Sequence, residues 1–296
     1  MDFNKKGESM YGSIELGGTK IRCAVFDDST EILKEIRIKT GKPKENVKEI
    51  IGFFKENEVK SLGIGAFGPI DIDKDSPKYG YVLETPKKLW RNFDLLGSIK
   101  KELDLPIGFT TDVGASGIGE YRNGAAKDKK SSLYLTIGTG IGGSYIQDGK
   151  LLQGFSHPEM GHIEIARKEG DKTESFCDFH DSCFEGLCAG PALKLRTGKN
   201  GEDLDKDDPA FDILAKYIAK GLMTYTMILR PHIIIIGGGV ANKEGMIEKI
   251  RREFAKLDNH YITIPDVDKY IVFPELGNEA GLIGGYVLAK KALEEN

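Results

Sequence analysis

The feature that most constrains this fold is a strand, glycine turn and strand unit that occurs twice. In the first copy, the strand candidate Ser13 to Leu16 leads into the turn Gly17 to Lys20 and then into an alternating apolar strand. In the second copy, Ser132 to Ile137 leads into Gly138 to Gly143 and then into another strand candidate. Because a repeat this long is not the unit of a solenoid, the sequence predicts two related lobes that face each other.

Composition narrows the class of protein. The 296 residues are enough for two domains, and 40% hydrophobic with 30% charged residues is typical of a globular chain. A net charge of −4 argues against a general nucleic-acid binder, and no apolar run approaches the ~20 residues of a membrane span. The polar segment Met1 to Met10 is expected to be a loose extension without signal-peptide character. Four cysteines without a secretion signal favour a reducing compartment, so we expect a cytoplasmic protein.

The glycine turns are candidate phosphate sites. Glycine leaves backbone N–H groups uncovered and tolerates positive φ, so an anion can approach closely. The alternative is a pair of tight hairpins without a ligand, which a single Gly-Gly-Thr would favour. Because the turn occurs twice and a third glycine cluster follows an apolar strand candidate, the sequence favours an ATP-binding site over hairpins without a ligand. The predicted ATP-binding residues are Gly17, Gly18, Thr19, Lys20, Gly138, Thr139, Gly140, Gly237, Gly238 and Gly239.

A dinucleotide-binding enzyme is the competing hypothesis for the second turn. Gly138, Gly140 and Gly143 fit the spacing G-x-G-x-x-G. That fingerprint requires a helix directly after the turn, with its N-terminus at the pyrophosphate. Here the turn is followed by a strand candidate that ends at the Asp148-Gly149 turn. The context therefore excludes the dinucleotide interpretation.

Asp112 is the candidate catalytic carboxylate. It ends the strand candidate Ile107 to Thr111 and precedes a short helical pattern around Ile118 to Tyr121. Phosphoryl transfer to an alcohol is aided by a base that orients the hydroxyl and accepts its proton. On local sequence alone, an Asp that caps the following helix is at least as plausible a role. The surrounding glycine turns favour catalysis.

A Cys-x-x-His-x-x-Cys segment predicts a metal site. Cys177, His180 and Cys183 lie within one short polar loop, and His162 lies upstream at the start of a strand-like segment. Two thiolates and two imidazoles form the tetrahedral set that structural Zn²⁺ prefers. The alternatives are buried cysteines or a disulfide, and His157 could replace His162 as a ligand or contact the substrate instead.

Together these motifs resemble the ROK family of sugar kinases from Tyr11 to the closing helix. The phosphate loop is matched by Glu15 to Lys20, the catalytic segment by Thr111 to Val113, and the glycine-rich signature by Gly138 to Gly143, continuing to His162. Within the family, Thr85-Pro86-Lys87 followed by Trp90 resembles the fructokinase loop at the sugar cleft. One departure stands out, because relatives commonly carry Asn where this chain has Gly114.

The resemblance implies an α/β, two-lobe, actin-like ATPase fold of the ribonuclease-H-like type, with duplicated β-hairpin and helix units. The smaller lobe would span residues 10–114 and be completed by the helix at 278–296, and the larger lobe would span residues 115–277. The resemblance also implies ATP with Mg²⁺, structural Zn²⁺ and a homodimer. It implies that Asp112 is the base and that the sugar pocket includes Thr111, Glu159, His162 and Glu185.

The sequence thus predicts ATP-dependent phosphorylation of a hexose, with O6 of fructose favoured. Mannose or glucose as substrate, or a non-catalytic sugar sensor that keeps the fold, are the alternatives. A sugar-responsive repressor would carry a helix-turn-helix module of roughly 60 residues before the first phosphate turn. That turn begins at Gly17, so a repressor is not expected.

Overall fold

The computed structural model describes residues 10–259 and 261–296. The polar extension expected before Met10 therefore lies outside the described residues. The chain forms two compact units, of which the first comprises residues 10–124, 151–157 and 278–296. The second comprises residues 125–150 and 158–277. The lobe boundary expected at residue 114 would fall within a helix of the first unit, whose compact part extends to Gly124.

The first unit contains a five-stranded sheet with the order β3-β2-β1-β4-β7. The hairpin β1–β2 is antiparallel, whereas β1, β4 and β7 are parallel neighbours. A separate two-stranded sheet pairs β5 with β6. The strands are β1 (Tyr11–Leu16), β2 (Lys20–Phe26), β3 (Ile32–Lys39), β4 (Ser61–Ala66), β5 (Tyr81–Val82), β6 (Phe93–Asp94) and β7 (Ile107–Thr111). The helices are α1 (Pro43–Asn57), α2 (Leu95–Lys100), α3 (Asp112–Asn123) and, at the end of the chain, α9 (Ala280–Glu294).

Helix α9 packs so closely on this unit that glycine is required at the contact. A Cβ built on Gly284 would lie 1.7 Å from the carbonyl oxygen of Ala115 in α3, and one on Gly63 of β4 would lie 1.8 Å from the carbonyl oxygen of Gly285. No side chain fits at such distances, so the backbones of α3, β4 and α9 touch directly. This contact fixes α3, and with it Asp112, relative to the sheet.

The second unit repeats the sheet order of the first, as β10-β9-β8-β11-β12. Again a hairpin, β8–β9, is antiparallel, and β8, β11 and β12 are parallel neighbours. The predicted duplication is therefore confirmed. The strands are β8 (Ser131–Ile137), β9 (Ile141–Gln147), β10 (Lys150–Leu151), β11 (Ile234–Gly237) and β12 (Ile271–Val272). The helices are α4 (Phe184–Cys188), α5 (Gly190–Thr197), α6 (Pro209–Leu229), α7 (Met246–Leu257) and α8 (Val267–Tyr270).

Helix α6 is the main core element of the second unit. It begins where the side chain of Asp208 accepts a hydrogen bond from the Ala210 N–H, and it ends at Arg230, which adopts a left-handed conformation before Pro231. Its apolar positions pack with β8, β11 and the buried ring of Phe184 in one hydrophobic cluster. None of the helices within the described ranges combines the length and apolar character needed to cross a membrane.

The segment around His162 differs from the sequence prediction. A strand-like run was expected from His162, but Met160–His162 forms a short 3₁₀ helix. Beyond it, only the bridge between Glu164 and Cys183 has strand character. Ser182 explains the local path, because its carbonyl accepts the Ile165 N–H at 2.8 Å and its hydroxyl donates to the Ile165 carbonyl at 2.6 Å. The alternating sequence here forms a loop that carries the candidate metal ligand His162 instead of a sheet strand.

Candidate active site

The first glycine turn links β1 to β2 in the first unit. The Gly17 N–H donates to the Lys20 carbonyl at 3.0 Å, and the Thr40 hydroxyl donates to the Gly17 carbonyl at 2.7 Å. A Cβ on Gly17 would lie 2.8 Å from the Lys20 carbonyl oxygen. Neither Gly17 nor Gly18 uses a positive φ, contrary to the expectation from sequence. Glycine is needed here because the turn closes tightly.

The second turn and the third glycine cluster lie together in the second unit. Gly138 donates from its N–H to the Gly140 carbonyl at 2.9 Å, and a Cβ on Gly138 would lie 3.8 Å from the Gly239 nitrogen. Gly238 does adopt a positive φ of 93°, and a Cβ there would lie 2.6 Å from the Ile137 carbonyl oxygen. The structure thus brings together Gly138 and Gly239, two residues predicted to bind the nucleotide.

Asp112 is the first residue of α3, at the carboxyl end of β7. The capping role belongs to its neighbour, because the Thr111 hydroxyl accepts the Gly114 N–H at 2.9 Å. Asp112 accepts the Val113 N–H through Oδ1 at 2.8 Å. The alternative of Asp112 as the helix cap is therefore wrong. Thr111, a predicted sugar contact, is buried with its hydroxyl engaged in the cap.

Gly114, where the resemblance to the ROK family implied Asn, occupies a crowded position. A Cβ built there would lie 2.6 Å from Oγ1 of Thr110 and 2.9 Å from Oγ1 of Thr111. The two threonine hydroxyls therefore fill the space that a larger side chain at 114 would need. An asparagine could enter only if both threonines moved.

Glu15 is a further candidate site residue, which the sequence motifs did not assign to a binding or catalytic role. It lies at the end of β1, directly before the first turn, and its Oε2 is buried without a hydrogen-bond partner, 3.6 Å from Nη1 of Arg22. Burial raises the pKa of Glu15, the charges of Arg22 and Lys20 oppose the shift, and Asp112 reinforces it. The carboxylates of Glu15 and Asp112 therefore repel each other electrostatically. The sequence feature that could have indicated Glu15 is its position at the start of the phosphate-loop motif, Glu15 to Lys20.

Arg22 anchors this part of the first unit. Its side chain is 2% exposed and donates to Glu35 at 2.9 Å and to both oxygens of Glu279 at 2.9 and 3.0 Å. Burial opposes the charge, but the hydrogen bonds to Glu35 and Glu279 raise the pKa of Arg22 above its ordinary value. The guanidinium stays charged and ties β2, β3 and the start of α9 together beneath the first turn.

The predicted metal ligands converge in the second unit. One ligand atom each from His162, Cys177, His180 and Cys183 lies within 4.8 Å of all the others. Sγ of Cys177 is 3.4 Å from Nδ1 of His180 and 3.8 Å from Nδ1 of His162. All four cysteines are free, which excludes the disulfide alternative. The donor chemistry, two thiols and two imidazoles, fits tetrahedral Zn²⁺.

His157 is not part of that cluster. Its segment, 151–157, packs with the first unit, where Nε2 of His157 accepts the Ile70 N–H at 3.2 Å. The structure therefore favours His162 as the second imidazole. His157 instead holds the loop that follows β4.

Glu185 joins the metal-ligand cluster to the second glycine turn. Its Oε2 accepts the Ile141 N–H at 2.7 Å, and its Oε1 lies 3.9 Å from Nε2 of His162. Gly140 permits this approach, because a Cβ there would lie 2.7 Å from the same Oε2. Glu159 is exposed, and its carbonyl accepts the His162 N–H at 3.0 Å. Of the predicted sugar contacts, His162 and Glu185 are thus brought together.

Comparison with known proteins decides the family. The model of the ROK family matches residues 11–292. The chain belongs to the ROK family. It is 46% identical over 282 residues to a fructokinase of Lactococcus lactis subsp. cremoris, covering 94% of this chain and 96% of that one. It is 44% identical over 289 residues to a putative fructokinase of Bacillus subtilis (strain 168), covering 96% and 97% of the two chains.

Solved ROK structures agree with the fold. A ROK family glucokinase from Streptomyces griseus, in complex with glucose and AMPPNP, aligns with a TM-score of 0.74 at 26% identity. The alignment covers 96% of this ROK chain and 100% of the glucokinase. The two repeated sheets described above are therefore those of the actin-like, ribonuclease-H-like fold, and the predicted fold class is confirmed.

Proposed function

We propose that this ROK protein phosphorylates a hexose hydroxyl with ATP, and that its substrate is fructose, converted to fructose 6-phosphate. The observation that supports this most is the 46% identity to a fructokinase over nearly the full length of both chains. The site chemistry agrees, because the first unit combines a glycine turn, the lysine Lys20 and two electrically coupled carboxylates, Glu15 and Asp112. These are the groups that phosphoryl transfer to an alcohol requires.

In this mechanism Asp112 is the general base. Its carboxylate accepts the proton of the sugar hydroxyl while that oxygen forms a bond to the terminal phosphorus of ATP. The bond from that phosphorus to the bridging oxygen breaks, and ADP leaves with the electron pair. With the capping role taken by Thr111, the Asp112 carboxylate is not committed to the helix cap, and its Oδ1 accepts the Val113 N–H.

The glycine turns are proposed to bind the phosphates of ATP. Gly17, Gly18, Thr19 and Lys20 would do so in the first unit, and Gly138, Thr139 and Gly140 in the second, with Gly237 to Gly239 near the nucleoside. Mg²⁺ with ATP neutralises phosphate charge and orients the terminal phosphoryl group. Glu15 fits this ion, because its Oε2 is a buried carboxylate oxygen without a hydrogen-bond donor.

The sugar pocket is proposed to use Glu159, His162 and Glu185, with Thr111 supporting it through the helix cap. Zn²⁺ at His162, Cys177, His180 and Cys183 would supply a structural cross-link. Because Glu185 follows Cys183 by two residues and contacts the second turn, a fixed Cys183 would fix the Glu185 carboxylate. The role of the metal in this proposal is to hold the pocket, not to react.

Replacement of Asp112 by Asn tests the proposal. We expect kcat with fructose and ATP to fall by at least about 10²-fold, since general-base catalysis contributes roughly 10²–10⁴-fold. AMPPNP affinity, measured by calorimetry, should stay within about twofold of the wild type. Unchanged turnover would refute the base assignment, and a hexose panel on the wild type would show whether fructose, mannose or glucose is preferred.

A non-catalytic sugar sensor remains the second candidate. ROK structures include a transcriptional regulator, and this chain aligns with 78% of that protein's length. A sensor would bind sugar without releasing ADP, so a coupled ADP assay separates the two candidates. The division of roles between the two lobes, a homodimer and a cytoplasmic location stay predictions.

A further inference from the structure

Lys87 lies against the backbone of the first glycine turn. A Cβ built on Gly18 would lie 2.8 Å from Cε of Lys87 and 3.5 Å from its Nζ. Both residues belong to the first unit, although they are far apart in sequence. Gly18 is therefore the residue that leaves room for the end of the Lys87 side chain at the turn.

The segment that carries Lys87 is anchored on both sides. Before it, the buried Thr85 accepts the Lys87 N–H through Oγ1 at 3.3 Å. After it comes a 3₁₀ helix, Lys88–Trp90, whose Trp90 is 1% exposed and donates from Nε1 to the Gly41 carbonyl at 2.9 Å. Arg91 closes the segment by donating from Nε to the Thr85 carbonyl at 2.7 Å. The position of Lys87 is thus built into the core of the unit.

The ammonium of Lys87 has no acidic partner in the part of the chain that the structure describes. Within residues 10–259 and 261–296, no carboxylate lies within ion-pair distance of its Nζ, whereas Lys42 and Lys55 each pair with a glutamate. Lys87 is exposed, yet the end of its side chain lies against the turn instead of extending into solvent. Together with Lys20, it places two cationic side chains at one glycine turn.

We propose that Lys87 is a catalytic residue that binds the terminal phosphate of ATP at the first glycine turn. During transfer, negative charge is spread over the equatorial oxygens of the phosphoryl group, and an ammonium placed there stabilises that charge. Lys87 forms no covalent bond and keeps its proton throughout. This inference rests on the proposed kinase function and adds a residue to it.

The test compares nucleotides that differ in the terminal phosphate. Lys87→Met keeps the length and apolar stem of the side chain but removes the charge. We expect it to weaken AMPPNP binding and to lower kcat, each by about 10- to 100-fold, as for loss of one charge-assisted hydrogen bond. ADP affinity should change less than about threefold, since ADP lacks the terminal phosphate. Both affinities are measured by titration calorimetry with Mg²⁺ present.

Two further variants control this experiment. Lys88→Met removes the neighbouring exposed lysine, which begins the 3₁₀ helix, and this variant should bind nucleotide and turn over as the wild type does. Lys87→Arg keeps the charge and should recover most of the AMPPNP affinity. The loss in Lys87→Met should also shrink as ionic strength rises, because exposed charges are screened. Unfolding temperatures within about 2 °C of one another would show that all three variants are folded.

Three outcomes would overturn the inference. Equal AMPPNP affinity in Lys87→Met and Lys88→Met would do so, as would equal losses for AMPPNP and ADP. A rise confined to the KM for fructose would instead make Lys87 a sugar contact. If the wild type phosphorylated no hexose, the proposed function would fail, yet the ratio of AMPPNP to ADP affinity would still decide whether Lys87 recognises the terminal phosphate.

Discussion

The two glycine turns share a backbone plan but differ in what surrounds them. Each connects the antiparallel hairpin of its sheet, and the two sheets have the same strand order. The first turn is surrounded by charge, with Lys20 and Lys87 beside it and Glu15 directly before it. At the second turn, the Ile141 N–H is already occupied by a carboxylate of the protein, that of Glu185.

This difference shows how the two copies of a duplicated fold can take different roles. The first turn is flanked by charged side chains, and the proposed base, Asp112, raises the pKa of Glu15 beside it. The second turn is cross-linked through Glu185 and His162 to the cluster of metal ligands. We infer that the first copy supplies the charge for phosphoryl transfer, whereas the second copy supplies a fixed frame for the substrate.

The largest effect is expected from the metal ligands of the second unit. Cys177→Ala removes one of four ligands, so bound zinc should fall from about one equivalent to less than half. We expect a stability loss of about 3 kcal/mol, or a fall in Tm of roughly 6–12 °C. The KM for fructose should rise, because Glu185 loses its support, while AMPPNP binding at the first turn should change little.

Cys188→Ala is the matched control for this prediction. Cys188 is fully buried in α4 but lies outside the cluster of ligand atoms. The Cys188→Ala variant should keep its zinc, as measured by elemental analysis. It should lose only the packing contacts of one sulfur atom. Equal zinc content in the two variants, or a wild type that purifies without zinc, would contradict the metal assignment.

A smaller effect on stability is expected from Arg22 in the first unit. Arg22→Met leaves Glu35, Glu279 and the partly buried Glu15 without their shared cation. Breaking a buried ion pair costs about 3–5 kcal/mol, and the partial exposure of the glutamates reduces this to about 2–3 kcal/mol. Urea unfolding measures the loss. Arg37→Met is the control, because Arg37 is exposed and pairs with Glu35 alone.

The activity of Arg22→Met shows whether Arg22 also affects catalysis at the first turn. We expect kcat to fall more than the fructose KM changes, since the altered residues surround the first turn and not the metal-linked one. A variant that lost stability but kept its full kcat would show that Arg22 supports the fold only. In that case catalysis at the first turn would not depend on the ion pairs of Arg22.

The sequence allowed the duplication and its turns to be predicted because glycines and alternating apolar residues report local backbone structure directly. The convergence of the four candidate metal ligands was also predictable, since Cys177, His180 and Cys183 lie in one short loop that limits how they can be arranged. The contacts of Lys87 with Gly18 and of Glu185 with Ile141 were not predictable, because each joins residues that are distant in sequence. Gly140 illustrates the limit: its glycine suggested a phosphate turn, but its side-chain-free position also admits Glu185.

The smallest effect concerns the pH dependence of stability at Glu15 and Glu35, which both face Arg22. The pKa of Glu15 is raised, chiefly by burial, so its ionised form is less favourable in the folded chain than in the unfolded one. Glu15→Gln should therefore be slightly more stable than the wild type at pH 7. The gain should vanish as the pH falls through the raised pKa toward the ordinary value of 4.5.

Glu35→Gln should show the opposite sign. Its hydrogen bond from Arg22 lowers the pKa of Glu35 to about 2, so the ionised form stabilises the folded state. The wild type should exceed Glu35→Gln in stability above pH 4.5, and the difference should disappear as the pH falls toward 2. Urea unfolding from pH 2 to 7 measures both. If Glu15→Gln also lost kcat while gaining stability, the first turn would be shown to keep a costly buried charge for catalysis. Equal pH profiles for the two variants would mean that burial does not distinguish these carboxylates.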